Sequence, residues 1–156
     1  MILYVVRHGE TDWNRAHKVQ GHTDIPLNNY GRHLARETAE GMKNLKIDLA
    51  YTSPLSRAKE TAEIILAGRN IPLIEDSRIE EFSFGNYEGM YCGGDNMDPK
   101  SADFNRFFTD TENYIPPSDG ESIPHLYERT GDFLAWLCKE EELQEKSILV
   151  STHGAA

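Results

Sequence analysis

Two histidines stand at positions where one ligand could contact both. His8 follows the apolar segment 2–6, His153 follows the segment 147–151, and each histidine is followed by a glycine. Both segments contain runs of branched apolar residues, a pattern typical of buried strands. Ligands of open α/β sheets bind beyond the carboxyl ends of the strands, and a glycine lets the chain turn sharply there. We therefore expect the two imidazoles to face one site.

Two arginines add positive charge near these histidines. Arg7 directly precedes His8, and Arg57 lies in the first turns of a helix predicted to begin at Pro54, after another strand. The positive end of a helix favours an anion, and a guanidinium group offers a planar fork of donors that matches phosphate oxygens. This set suits a phosphoryl group. It does not suit a divalent metal, which the arginines would repel, so we expect neither a metal nor a cofactor.

An imidazole beside a phosphoryl group can act as a nucleophile. It must be neutral at the attacking nitrogen, and an unperturbed histidine has a pKa near ~6.5. Nearby arginine cations disfavour the imidazolium ion, so they should lower the pKa of His8. Covalent catalysis would then divide displacement at phosphorus into two easier steps.

Alternating strands and helices are predicted to position these residues. Short β-branched runs alternate with amphipathic segments of helical spacing, which indicates a mostly parallel sheet. The predicted fold class is α/β with three layers, in which helices cover both faces of the sheet and the first strand is buried on both sides. Leu134 is predicted to face inward from the last helix. The predicted strands are 2–6, 47–52, 71–74 and 147–151, and the predicted helices are 29–45, 54–67 and 121–142.

A chain of 156 residues is long enough for one domain with a core, so we interpret 1–156 as a single domain. Residues 89–120 differ from the rest because they are rich in Gly, Asp, Asn and Pro, and we interpret them as a cap-like excursion from the sheet. Their aromatic residues could pack on an apolar or ring-bearing substrate, or could form a small core of the cap itself. These aromatic residues are Phe104, Phe107, Phe108 and Tyr114.

The composition disfavours several classes of function. The formal net charge is −10, so nucleic acid and anionic membranes would be repelled at long range, and a phosphate would have to be attracted by local cations. Two cysteines do not make a disulfide framework. The opening apolar run is too short for a signal peptide or a membrane span. We expect a cytoplasmic protein that binds neither nucleic acid nor membranes.

The motifs around these residues follow one another in a recognisable order. The chain resembles the histidine phosphatase superfamily, which is also called phosphoglycerate mutase-like, and within it the phosphatase branch that includes alpha-ribazole and broad-specificity phosphatases. The resemblance extends over nearly the whole chain. It is carried by Arg-His-Gly-Glu-Thr at 7–11, Gly-His-Thr-Asp-Ile-Pro-Leu at 21–27, Ser-Pro-Leu-Ser-Arg at 53–57, Glu-Glu-Phe-Ser-Phe-Gly at 80–85, Asp-Gly-Glu-Ser at 119–122 and Thr-His-Gly at 152–154.

The resemblance implies specific roles for these residues. His8 would attack phosphorus and carry a phosphohistidine. Glu81, rather than the adjacent Glu80, would protonate the leaving alkoxide and then take a proton from the attacking water. The phosphoryl oxygens would be bound by Arg7, Asn14, Arg57 and His153.

The same resemblance leaves three functions open. A phosphatase acting on a small phosphorylated metabolite is favoured over a phosphoglycerate mutase, because mutases resemble one another in a long basic insertion after the proton donor. Residues 89–120 instead contain two basic residues, Lys100 and Arg106, among several acidic ones. The third alternative is a non-catalytic homologue that binds a phosphorylated ligand. All the residues to which the resemblance assigns a catalytic role are present, which argues against a non-catalytic homologue.

The carboxyl-terminal residues depart from the family pattern. Members of the family usually continue with a helix where Gly154 stands, whereas this sequence ends at Ala156. The expected fold therefore lacks that helix, and we expect apolar surface to be left open or to be covered in a homodimer.

Overall fold

A four-stranded parallel sheet organises residues 1–156, all of which the computed structural model describes. Its strand order is β1-β4-β2-β3, so the first and last strands of the chain are neighbours. This arrangement confirms the predicted α/β class. The strands are β1 (Ile2–Arg7), β2 (Leu49–Thr52), β3 (Leu73–Glu75) and β4 (Ser147–Thr152).

Helices cover both faces of this sheet. Ala50 and Leu149 pack with Ile65 and Leu66 on one face, and Tyr51 and Val150 belong to a second core on the other face. That second core is completed by Phe133 and Leu137. No helix combines the length and the apolar character needed to cross a membrane. The helices are α1 (Asp12–Arg15), α2 (Asn29–Met42), α3 (Ser56–Leu66), α4 (Ser101–Thr109) and α5 (Ile123–Lys139).

The strand register aligns the carboxyl ends of three strands. Arg7 of β1 pairs with Thr152 of β4, and Thr52 of β2 pairs with Ser151. The backbone N–H of His8 continues this ladder by donating to the Thr152 carbonyl at 3.0 Å. The residues that follow β1, β2 and β4 therefore emerge at one edge of the sheet, as expected for parallel strands.

The prediction that β1 is buried on both faces is wrong. Val5 is 64% exposed and Ile2 is 55% exposed, because β1 is the edge strand and part of its surface is uncovered. Leu134 of α5, predicted to face inward, is also 51% exposed. Leu134 and Val5 line an apolar groove of about 260 Å³ between α5 and the β1 edge.

Two predicted helix ends shift because side chains from outside each helix bind carbonyl groups at its end. Helix α2 ends at Met42 rather than at 45, where the Arg69 guanidinium donates to the carbonyls of Met42 and Leu45. Helix α5 ends at Lys139 rather than at 142, and the Gln144 side-chain amide donates to three carbonyls of its last turn. Such carbonyls lack partners within the helix, so an external donor can fix the end.

The start of α3 also differs from the prediction. The helix begins at Ser56 and not at Pro54, and Leu55 is its cap residue. Asp24 supplies the missing side-chain cap, because its Oδ1 accepts from the backbone N–H of Ser56 at 2.8 Å and from the hydroxyl at 2.7 Å. Ser53, which precedes the predicted start, contacts His153 in the site described below.

Residues 89–120 contribute no strand to the sheet. They contain α4 and a 3-10 helix at Thr111–Asn113. A short antiparallel ladder joins the beginning of this segment to residues 17–19, through bonds such as the one from the Val19 N–H to the Met90 carbonyl at 3.0 Å. The aromatic residues of the segment pack mainly against one another and against Phe82 and Phe84, as a small core would.

Candidate active site

His8 follows β1 directly and is almost fully buried. Its ring Nδ1 lies 2.6 Å from the carbonyl oxygen of Gly9. Because a carbonyl oxygen can only accept, Nδ1 carries the ring proton, and the lone pair of the neutral imidazole lies on Nε2. The fold therefore presents Nε2 as the nitrogen that can attack an electrophile.

His153 follows β4 and is held by a residue that follows β2. Its Nε2 lies 2.8 Å from Ser53 Oγ, and the same oxygen accepts from the Leu55 N–H at 3.3 Å. The Ser53 hydroxyl can donate its proton to Nε2, which places the ring proton of the neutral imidazole on Nδ1. The other ring nitrogen of His153, Nδ1, is buried without a partner. A buried polar atom without a partner costs free energy, which a bound ligand could recover. This nitrogen is thus a candidate contact for a ligand.

The two imidazoles lie together, and both are neutral near pH 7. Their ring centroids are 5.2 Å apart. Burial lowers the pKa of His8 to about 4, and the positive charges of Arg57 and Arg7 add to this effect against the opposing Gly9 hydrogen bond. Burial, together with the charge of Arg57, lowers the pKa of His153 to about 2. The neutral state is the one in which His8 can act as a nucleophile.

Arg57 places a fully buried cation beside these rings. Its guanidinium group donates to the carbonyls of Thr23 at 3.0 Å and Gly21 at 2.7 Å, while its Nε has no partner. Burial lowers the pKa of Arg57, and nearby carboxylates, including Glu81, oppose that effect. Because a buried charge is costly unless it is paired, the arrangement favours the binding of an anion.

A cavity of about 220 Å³ opens beside His8 and has no hydrophobic residue in its lining. Asn14 reaches this cavity from α1, and its Oδ1 accepts from the N–H and the hydroxyl of Thr11 at 3.0 and 3.1 Å. The amide nitrogen of Asn14 is therefore free to donate to a ligand. The cavity is lined by Arg7, His8, Gly9, Glu10 and Asn14.

Glu81 is half-buried and contacts the chain directly after His153. Its carboxylate oxygens accept from the backbone N–H groups of Phe82 at 3.0 Å, Gly154 at 3.2 Å and Ala155 at 3.0 Å. A carboxylate offers about four lone-pair positions, so one remains free for a proton. Glu80, in contrast, lies 3.9 Å from His22 and lines a different cleft.

Comparisons with known proteins assign the chain to a family. Residues 3–156 match the family model of the histidine phosphatase superfamily, branch 1. The chain belongs to the histidine phosphatase superfamily. It is 39% identical over 153 residues to the uncharacterized phosphatase PhoE of Bacillus subtilis, with 97% of this chain and 71% of the relative covered.

Other relatives of this chain within the superfamily carry different functional names. Phosphoglycerate mutase-like protein 4 of Arabidopsis thaliana is 36% identical over 155 residues, with 97% of this chain and 66% of the relative covered. The crystal structure of the alpha-ribazole phosphatase from Shigella flexneri superposes with a TM-score of 0.83 at 29% identity, covering 98% of this chain and 74% of that one. The chain thus spans about two thirds to three quarters of the length of these relatives.

The histidine phosphatase fold brings the six predicted site residues to one edge of the sheet, and the roles assigned to them remain predictions. The sequence analysis did not identify the residues that hold the backbone around this site. Thr61 Oγ1 accepts from the Gly9 N–H at 3.1 Å and donates to the Arg57 carbonyl at 2.7 Å. Thr61 stands four residues after Arg57, and this spacing places the two side chains on the same face of a helix, which could have indicated the contact.

Glu88 supports the loop that holds Arg57. Its carboxylate accepts from the backbone N–H groups of His22 at 2.9 Å and Thr23 at 2.8 Å. The residues of this contact are more than 60 positions apart in sequence, so no local pattern could reveal it.

No three His, Cys, Asp or Glu side chains lie close enough together to hold a metal ion.

Proposed function

We propose that this chain is a metal-independent phosphatase that hydrolyses a small phosphate monoester through a phosphohistidine on His8. One observation carries the proposal: the Gly9 carbonyl fixes the proton of a buried, neutral imidazole on Nδ1 and leaves Nε2 free. Arg57 and Arg7 supply the positive charge that a phosphoryl group requires. The substrate would be a small phosphorylated metabolite, since the adjoining cavity is polar and measures about 220 Å³.

The first step transfers the phosphoryl group to the enzyme. The Nε2 lone pair of His8 forms the N–P bond while the bond between phosphorus and the ester oxygen breaks. Glu81 donates its proton to the leaving alkoxide, and the substrate departs as an alcohol. Charge on the three phosphoryl oxygens is stabilised by Arg7 and Arg57, by the free amide nitrogen of Asn14, and by a hydrogen bond from His153 Nδ1.

The second step returns the enzyme to its starting state. A water molecule attacks phosphorus, Glu81 takes one of its protons, and the N–P bond breaks to release inorganic phosphate. Three backbone N–H groups hold the Glu81 carboxyl group beside the residues that follow His153 and leave one lone pair for this proton. The same carboxyl group thus serves as acid and then as base.

Hydrolysis is favoured over mutase activity by the charge of residues 89–120. The exposed side chains there include Asp95, Asp103, Asp110 and Glu112, which would repel a bisphosphate. The relatives carry both phosphatase and mutase-like names, so the transfer of the phosphoryl group to a second alcohol is the alternative reaction.

The test is hydrolysis of p-nitrophenyl phosphate in the presence of EDTA by the wild type and by His8→Ala. We expect steady turnover by the wild type, at least a thousandfold less in His8→Ala, and an acid-labile phosphoenzyme in the wild type alone. The matched control is His33→Ala, which removes an exposed histidine of α2 and should retain full activity.

The other outcomes identify the alternatives. Turnover that persists in His8→Ala would refute the mechanism. A phosphoenzyme that transfers its phosphoryl group to an alcohol and not to water would indicate a mutase. A folded wild type that forms no phosphoenzyme and binds inorganic phosphate would be a non-catalytic binder.

A further inference from the structure

Arg129, on helix α5, binds the backbone that carries Glu81. Its guanidinium group donates to the carbonyl oxygens of Arg78 at 2.8 Å, Glu80 at 2.8 Å and Glu81 at 3.0 Å. The same group donates to both carboxylate oxygens of Glu121, at 2.6 and 2.9 Å. One side chain therefore holds the segment 78–81 against α5.

Every donor of Arg129 is used in these contacts. A guanidinium group has five N–H donors, and Arg129 makes five hydrogen bonds, one of them through Nε and two through each terminal nitrogen. Its side chain is 12% exposed. Although Arg129 lines a polar cleft of about 520 Å³, it has no donor left for a ligand there. Its function must therefore concern the protein itself.

Glu121 extends the same support to the next residues of the segment. The Glu121 carboxylate accepts from the Ser83 N–H at 3.3 Å, and the Glu121 N–H donates to the Ser83 carbonyl at 2.8 Å. Burial alone would raise the pKa of Glu121, but the hydrogen bonds and charge of Arg129, with help from His125 and Ser83, lower it overall. Glu121 is therefore a permanent anion at neutral pH, and it keeps Arg129 in place.

A second side chain, from the loop before α2, contacts the same peptide group. His22 Nε2 lies 2.7 Å from the Glu81 carbonyl oxygen. Both lone pairs of that oxygen are thus occupied, one by His22 and one by Arg129. Two side chains therefore fix the backbone carbonyl of Glu81.

We propose that Arg129, itself held by Glu121, is the positioning residue that aims the Glu81 carboxyl group at the leaving-group oxygen. The proposal rests on the proposed function, in which Glu81 is the proton donor. Arg129 does not touch the substrate, so it acts only through Glu81. Loss of the Arg129 side chain should therefore lower kcat/KM for substrates whose leaving oxygen needs a proton. It should leave kcat/KM nearly unchanged for substrates whose leaving oxygen needs none.

The experiment measures kcat/KM for p-nitrophenyl, phenyl and p-methoxyphenyl phosphate with the wild type, Arg129→Met and Arg129→Lys. The nitrophenolate ion is weakly basic and leaves without a proton. Phenolate is more basic and needs a proton as it leaves, and methoxyphenolate is slightly more basic still. For Arg129→Met we expect kcat/KM to change by less than about 3-fold with the first ester and to fall by about 10- to 100-fold with the last. Arg129→Lys should recover part of the loss, because lysine can reach some of the carbonyls.

Two further variants make the result specific. Arg78→Lys alters a guanidinium group of the same cleft that pairs with Asp76 and does not contact Glu81, so it should leave the dependence on leaving group unchanged. Glu81→Gln should steepen that dependence, and adding Arg129→Met to it should produce no further change. A uniform loss with all three esters in Arg129→Met would mean a general structural role and would overturn the proposal.

The failures of the two proposals are distinguishable. If Glu81→Gln leaves the dependence on leaving group unchanged, Glu81 is not the proton donor and the proposed function is wrong in that step. If Glu81→Gln steepens it and Arg129→Met does not, only the positioning role is refuted. If Arg129→Met does not fold, as judged by circular dichroism, Glu121→Gln and Arg129→Lys provide the same comparison.

Discussion

At the scale of single residues, the site depends on the placement of protons on two histidines. A carbonyl oxygen determines the tautomer of His8, and a hydroxyl group contacts Nε2 of His153. Both rings are buried, so a wrong tautomer would break one of these hydrogen bonds at a cost in free energy. Catalysis should therefore depend on the residues that orient the rings as well as on the rings themselves.

Removing the Ser53 hydroxyl should weaken catalysis more than stability. Ser53→Ala leaves His153 Nε2 without its partner at 2.8 Å, so the ring can rotate or adopt the wrong tautomer. We expect kcat/KM for p-nitrophenyl phosphate to fall about 10-fold and the free energy of unfolding to fall by about 1 kcal/mol. The control is Ser118→Ala at an exposed position, which should change neither quantity. If Ser53→Ala keeps the wild-type kcat/KM, the hydroxyl does not orient His153.

The buried histidines should make the fold sensitive to acid. The pKa of His8 is about 4 in the folded state and near ~6.5 in the unfolded state, so the unfolded chain binds more protons between these values. The contribution of His8 is fully present above pH 6.5 and is lost as the pH falls toward 4, by about 2 to 3 kcal/mol between pH 7 and pH 4.5. Urea unfolding of the wild type and of His8→Asn at both values checks this, because the variant should lose less stability on acidification. Equal losses in the two proteins would contradict the prediction.

At the scale of elements, the loop after β1 and the first turn of α2 approach one another unusually closely. A Cβ atom on Gly9 would lie 2.5 Å from the Gly31 carbonyl oxygen, and one on Gly31 would overlap the Glu10 carbonyl oxygen. Glycines at these two positions let the backbone that follows His8 pack on a helix end. The close packing of these elements helps to hold His8 in place.

Two glycines of α2 should respond in opposite ways to the same substitution. Gly31→Ala must push the loop at Glu10 away, so we expect it to destabilise the protein by about 2 kcal/mol and to lower activity by at least tenfold. Gly41→Ala has open space around its Cβ and should stabilise the protein by about 0.5 to 1 kcal/mol with unchanged activity. Thermal unfolding and p-nitrophenyl phosphate hydrolysis measure both effects. An active, stable Gly31→Ala would show that the contact can relax.

At the scale of the whole molecule, a strongly acidic chain surrounds a local cationic site. The net charge of −10 repels a phosphate monoester at long range, while Arg7 and Arg57 attract it only at short range. Salt screens the long-range repulsion more than the contacts inside the site. The protein as a whole should therefore slow the approach of its own substrate at low ionic strength.

The dependence of kcat/KM on salt should distinguish the long-range repulsion from the short-range attraction. Between about 10 and 150 mM potassium acetate, where the Debye length falls from about 30 to 8 Å, we expect kcat/KM for p-nitrophenyl phosphate to rise about twofold and kcat to stay constant. Replacing the exposed Asp95, Asp103 and Glu112 by their amides should raise kcat/KM at low salt and reduce the salt effect. A fall in kcat/KM with salt would mean that local attraction dominates the encounter.

The sequence by itself predicted the longer elements and the candidate site residues. Local periodicity was enough to predict four strands and the three longer helices that cover the sheet, and the motifs led to the family that the comparisons confirm. The His-Gly pairs after two strands indicated that His8 and His153 would meet, because parallel strands end at one edge.

Only the tertiary structure decided how those residues are held. The contacts that orient the site join positions far apart in the chain: Ser53 and His153 are 100 residues apart, and Arg129 and Glu81 are 48 apart. The exposure of Val5 and the start of α3 at Ser56 likewise depend on which elements become neighbours. Local patterns report the preferences of nearby residues, whereas tautomers, helix caps and burial arise from partners that only the folded chain brings together.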